Sequence, residues 1–184
     1  VQKALRLLLF RRGRKPGVRD WELEAKLGRG YRPVVERAGS LLSEIGLQLK
    51  EVVEESPIPG EEGARRFVVV LVEPPTAGEA KLSGWRIDTL AGLSATLGLV
   101  LARQGRAPRD EVEDLLAGKL GLWRAEALLD AYLRAGYLQE DSEGFIGLDW
   151  RTYAEVDLQQ LIGRLQSIKP GEEGKGAEEE ADEA

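Results

Sequence analysis

Apolar positions along the chain fall into runs of two different periods. Within residues 2 to 12, Leu5, Leu8 and Leu9 share one face at helical spacing while Arg6 lies elsewhere, and Pro16 and Gly17 close the segment. Asp20 stands in front of WELEAKL as an N-cap residue would, predicting a short second helix that ends at Gly28. A third helix is predicted from near Pro33, with Val34, Val35, Ala38, Leu41, Leu42 and Ile45 as its apolar positions and Gly46 as its stop. LQLKEVV alternates in its first half, the polar loop SPIPGEEGA follows, and RFVVVLV completes a hairpin.

The order then repeats. EPPTAGEAKLSG reads as a Pro/Gly-rich connector, and beyond it a long helix carries Leu90, Leu93, Leu97 and Leu101 on one stripe and ends near Gly105. Pro108 opens a second helix whose early turns hold Asp110, Glu111, Glu113 and Asp114, where acids favour the positive end of the helix dipole, with Val112, Leu115 and Leu116 as its apolar face. A third helix carries Leu128, Leu129, Tyr132 and Leu133 up to Gly136. YLQED and FIGL form a short hairpin about Ser142 to Gly144, and a last helix is predicted from roughly Trp150 to Leu165. Three helices followed by a hairpin is the order of a winged helix. The expected fold class is therefore mainly α with small β-hairpins, an α+β chain of two tandem winged-helix domains. Their expected bounds are 1–74 and 83–168, joined by a linker at 75–82 and followed by a tail at 169–184. The halves share element order far more than sequence.

Composition narrows the chemistry. With 184 residues and 42% hydrophobic content the chain can bury one large core or two small ones. It holds no run of the roughly 18 apolar residues that a membrane-spanning helix needs. The start lacks the small-residue cleavage pattern of a secretory signal, so a soluble cytoplasmic protein is expected, nucleoid-associated if it holds DNA. Cysteine and histidine are absent, which removes disulfides, thiolate zinc sites and the commonest general base. No catalytic residue, metal or cofactor is expected, and an enzyme is a distant third among the readings. Methionine and asparagine are absent too, while Arg, Glu and Leu are abundant, which points to a thermophilic prokaryote, with GC-rich codon usage as the alternative account.

The net charge of −6 is unevenly placed, because from Lys169 to Ala184 two basic and seven acidic residues account for all but one of those charges. That tail has no apolar residue larger than alanine and is expected to be disordered. Residues 1 to 19, by contrast, contain Lys3, Arg6, Arg11, Arg12, Arg14, Lys15 and Arg19 with no acid among them.

Several stretches resemble a known family. LRLLLFRRGRKPGVRDWEL looks like the opening of a MAGE homology domain, a leucine-paired helix leading through a basic linker into a short second helix. YRPVVERAGSLLSEIGLQLKEV is similar to that domain's third helix and following strand. LAGLSATLGLVLARQGRAPRDEVEDLL with LLDAYLRAGYLQED resembles its second winged helix. The likeness runs over roughly residues 2 to 162 and extends to the KITE tandem winged-helix subunits of SMC (chromosome-maintenance) complexes, in which this chain would be a prokaryotic, archaeal-type member. One segment departs: LDWRTYAEVD stands where the family has a Trp-Gly-Pro-Arg-like element. The resemblance implies partner binding. Family members engage RING-type proteins through the first winged helix and its paired leucines, here Leu8 and Leu9, and SMC-associated members hold a segment of a kleisin in an apolar cleft of the second. Some also bind DNA.

Each such reading has a plainer rival. Leu7 to Phe10 are consecutive and span roughly 300° of a helix, so either the helix is buried on two sides or part of the stripe, with Leu5, Leu8 and Leu9, docks a partner. Trp85, Leu122, Trp123, Leu128 and Tyr132 line a partner cleft or are ordinary core. Arg11, Arg12, Arg14, Lys15 and Arg19, joined by Arg65 and Arg66, contact phosphates of double-stranded DNA non-specifically or form a solvated helix end and loop. The functional expectation is a non-enzymatic scaffold subunit that binds kleisin or RING-type partners in an SMC-type complex for chromosome maintenance or DNA repair. The alternative is a winged-helix regulator of transcription or chromatin, which would need a basic third helix. Neither third helix is basic, since Arg32 and Arg37 face Glu36 and Glu44, and Arg124 and Arg134 face Glu126 and Asp130.

Overall fold

The computed structural model describes residues 1–10, 15–54, 63–73 and 85–167. The expected linker, the tip of the first hairpin loop, the acidic tail, and Arg11, Arg12 and Arg14 lie outside them. Helix α1 (Gln2–Leu9), strand β1 (Val18–Arg19), helices α2 (Asp20–Leu27) and α3 (Tyr31–Ser43), and strands β2 (Leu47–Val53) and β3 (Arg65–Leu71) form a first set. The second set has the same order: α4 (Ile87–Ala102), β4 (Arg106–Pro108), α5 (Arg109–Leu120), α6 (Leu122–Ala135), β5 (Leu138–Glu140) and β6 (Phe145–Leu148). Two helices follow, α7 (Trp150–Glu155) and α8 (Leu158–Ser167). The described residues are mostly helical with two small antiparallel sheets, ordered β1-β3-β2 and β4-β6-β5.

The sequence reading differs from this in several places, among them the end of α3, which stops at Ser43 and leaves Ile45 exposed. Strands β1 and β4, two and three residues long, are too short to carry a period, yet each supplies the outer strand of its sheet, with Val18 opposite Phe67 and Ala107 opposite Ile146. The final helix is two: Val156 is extended, and Asp157 restarts the chain by accepting the Gln160 N–H at 2.9 Å. Asp20 is the first helical residue of α2, with Arg19 at the cap position and the Asp20 carboxylate accepting from the Trp21 N–H at 2.7 Å.

Each set has its own core. In the first, Ala4, Leu7 and Leu8 of α1 meet Leu23, Val35, Leu42 and Phe67. In the second, Leu97, Val112, Leu116, Leu129, Tyr132 and Ile146 close against one another. A third, smaller cluster joins the two sets. Alternate residues of a strand point to opposite faces, so Phe67 and Val69 enter the first core while Val68 and Val70 face away from it, and there Trp150 and Ala154 of α7 cover them. Val68 is 1% exposed and Trp150 2%. A strand covered on both faces reads as an unbroken apolar run, as RFVVVLV does.

Helix α7 is tied to the second set by its backbone: the Arg151 N–H donates to Gly136 O at 3.1 Å, and the Asp149 N–H to Tyr137 O at 2.9 Å. Thr152, fully buried, adds a bond from Oγ1 to the same Tyr137 carbonyl at 2.6 Å. Gly136, at φ +84°, ends α6 in the left-handed region, and a Cβ there would lie 3.0 Å from Trp150 Nε1. From this base α7 reaches across to the first set. The Arg66 guanidinium stacks over the Trp150 ring at 4.8 Å, Lys50 Nζ donates to Ala154 O at 2.8 Å, and Lys15 Nζ pairs with the Asp149 carboxylate at 3.6 Å. Arg66 is itself buried, with Nε on Glu54 at 2.6 Å and Nη1 on the carbonyls of Pro16 and Gly17. Gly17, at φ +81°, makes that approach possible, since a Cβ would meet Phe67 O at 2.6 Å.

Truncating the residue that seals this junction should be costly. Trp150→Ala is expected to lower the unfolding free energy by about 3–5 kcal/mol, as for other buried tryptophans, read from the denaturant midpoint. A loss under about 1 kcal/mol would mean that the junction contributes little to the folded state.

Candidate partner-binding surfaces

Helix α1 divides its four consecutive apolar residues between two environments. Leu7 and Leu8 are each 5% exposed and pack in the first core, and Leu5 is half-buried against it. Leu9 is 51% exposed and Phe10 68%, and Trp21, at the start of α2, is also exposed. The helix thus gives the core its Leu8 side and leaves Leu9 and Phe10 in water. The paired leucines of the sequence are neighbours in the chain with different surroundings.

The five second-half candidates also separate. Tyr132 is enclosed, its hydroxyl donating to Thr89 O at 2.6 Å, and burial pushes its pKa up to about 12. Leu128 packs partly buried on the core, and Trp85 does so with its ring edge-on to Tyr137 at 5.6 Å. Leu122 and Trp123, in the first turn of α6, are 70% and 83% exposed. Ile87, which the sequence reading did not single out, opens α4 and is exposed as well. The Asp88 carboxylate holds these two helix starts together by accepting from Arg86 Nε at 3.1 Å and from Arg124 Nη2. Its hydrogen bonds to Arg86 and then Arg124 lower its pKa to about 2. Ile87, Leu122 and Trp123 therefore stand at one end of the second set, around a carboxylate shared by two guanidiniums, which leaves one net positive charge there. The sequence signal for Ile87 was its position just outside the buried Leu93 and Leu97 stripe.

The described members of the basic set are all engaged within the chain. Arg19 and Arg66 hold the two oxygens of Glu54 at 2.8 and 2.6 Å, Arg65 pairs with Glu51 at 3.2 Å, and Lys15 with Asp149. Among the described residues there is no group of three or more acidic, His or Cys side chains placed to hold a metal ion. No described helix is long and apolar enough to cross a membrane.

No protein-family model matches the chain, and neither does any curated protein. Among solved structures it is similar to a chain of the "Nse1-Nse3-Nse4 complex", with a TM-score of 0.62 and 14% sequence identity, over 92% of this chain and 89% of that one. The likeness is one of fold along nearly the full length. It is consistent with the resemblance to the MAGE and KITE proteins.

Two outcomes follow from these placements. Leu8→Ala is expected to cost about 2–5 kcal/mol of stability, whereas Leu9→Ser should stay within about 0.5 kcal/mol of the parent; equal losses in denaturant titrations would overturn the division of α1. Asp88 should titrate near pH 2 by carboxyl NMR, and Arg124→Gln should move it back toward 3.8. Because the folded-state pKa is depressed, the tie between α4 and α6 is present above the ordinary carboxylate range and is lost only as pH falls through about 2.

Proposed function

We propose that the chain is a non-enzymatic scaffold subunit of an SMC-type assembly, built as two winged helices over residues 1–74 and 83–168. It binds protein partners of the kleisin or RING type through exposed apolar helix positions. The observation that carries this reading is the fold likeness, over 92% of the chain, to a chain found in a complex with other proteins. The exposed positions suit it, since Leu9 and Phe10 on one set and Ile87, Leu122 and Trp123 on the other are large apolar side chains standing in water. Large apolar groups at the start or end of a helix are what a partner helix or strand buries.

A DNA-binding regulator has less support. Arg66 is buried, and Arg19, Arg65 and Lys15 already have carboxylate partners, so binding phosphate would require breaking pairs that the fold uses.

The experiment is affinity purification of the full chain from its native organism, with the recovered proteins identified by mass. An SMC ATPase, a kleisin or a RING protein is the expected catch, and the double variant Leu9→Asp, Phe10→Asp or the variant Trp123→Asp should lose it while remaining folded by circular dichroism. Recovery of transcription machinery, or of DNA alone, would overturn the proposal.

A further inference from the structure

Strand β2 is the open edge of the first sheet. It pairs with β3 on one side, Leu47 opposite Leu71 through to Val53 opposite Arg65, and on its other side no described backbone group bonds to it. Seven residues of unpaired edge is a template for another strand. Recesses flank this edge on both faces of the sheet. On the α3 face a hollow of about 290 Å³ is lined by Val35, Gly39, Leu49 and Phe67, together with the charged Arg32, Glu36 and Glu51. On the α7 face a groove of about 540 Å³ is lined by Gln48, Lys50, Leu71, Val72 and Leu161, with Arg164 beside them; Glu155 and Asp157 line it too, but Glu155 is paired with Arg151 at 2.7 Å and Asp157 accepts the Gln160 N–H at 2.9 Å. The side chains of β2 alternate between the two, Leu49 and Glu51 to one and Gln48 and Lys50 to the other.

We infer that the β2 edge is a strand-addition site for an extended segment of a different protein, with small apolar side chains entering the hollow beside Gly39 and a carboxylate set opposite Lys50. In this recognition mode main-chain hydrogen bonds give affinity and pockets for alternate side chains give specificity. Lys50 supports the acidic residue: it is half-buried and, among the described residues, bonds the neutral Ala154 carbonyl and has no ion pair, while the two carboxylates of its groove are held by other groups. It also argues against a second copy of the chain. A two-fold antiparallel pair of β2 strands that used all seven residues would place Leu47 opposite Val53 and so Lys50 opposite Lys50, and like charges directly opposed are unfavourable. Gly39 supports the apolar side chain, because a Cβ there would stand 3.5 Å from Leu49, in van der Waals contact, and its absence leaves that space open.

The inference rests on the reading of the chain as a protein-binding scaffold, but its test needs no native partner, so the two can fail separately. The full chain, labelled with ¹⁵N, is titrated with a short synthetic peptide alternating valine and threonine with glutamate at its centre, and with the same peptide carrying lysine there. The expected result is saturable shifts and slowed amide exchange at alternate residues of Leu47–Val53 with the glutamate peptide. Lys50→Glu should weaken that peptide about tenfold and favour the lysine peptide instead, a reversal that an unfolded variant cannot show. Gly39→Leu, which fills the hollow, should weaken both. Shifts confined to other elements, indifference to the charge exchange, or a β2-dependent dimer in sedimentation would each overturn the inference.

Discussion

The burial of β3 on both faces is the constraint from which most of the molecule follows. One face belongs to the first core through Phe67 and Val69, and the other is covered by Trp150 and Ala154. Because strand side chains alternate, Arg66 is forced to the α7 face, where a guanidinium can be buried only if it is paired and hydrogen-bonded. Glu54, the Pro16 and Gly17 carbonyls and the Trp150 ring meet that need. Glu54 in turn holds Arg19 on β1, so the short strand, the glycine turn before it and the inter-set contact are parts of one arrangement.

This explains how much of the structure was legible in the sequence. The helices of both sets were, because each carries an apolar stripe at helical spacing, and so was the order of helices and hairpins, though not the short strands β1 and β4. Strand β3 was legible as a strand, yet its unbroken run RFVVVLV says only that both faces are covered and does not name the cover. The cover is WRTYAE, within the segment that departs from the family pattern, and no period in six residues could have paired Trp150 with Val68 across the chain. On the candidate surfaces, four consecutive apolar residues on α1 showed that some must face outward. Which ones do so depends on where α3 lies, and that assigns Leu8 inward and Leu9 outward. Tyr132 and Trp123, alike as aromatic residues of one helix, part for the same reason: the start of α6 projects beyond the core that its middle enters.

Charge is the harder guide to read. A basic N-terminal stretch invites a nucleic-acid reading, but a count of cations does not show how many are available. Lys15, Arg19, Arg65 and Arg66 have partners thirty or more residues away, or within the first hairpin, that sequence proximity does not reveal. Arg66 is the one of these four that is desolvated as well as paired, and such an ion gives little to a new anion, because the old pair must first be broken in a medium where it is strong.

The junction also bears on how the proposed scaffold would act. Without it the two sets would have no fixed contact, and a partner held on one would have no defined relation to a partner held on the other. Trp150, Ala154 and the Lys50 contact instead fasten the second set to the sheet of the first. Binding sites on a rigid body meet a multivalent partner at a fixed separation, so a second contact forms at high effective concentration when the partner's geometry matches, and is lost when it does not. Selectivity among partners that share the same apolar anchors can then come from the distance between anchors, set by a contact that touches none of them.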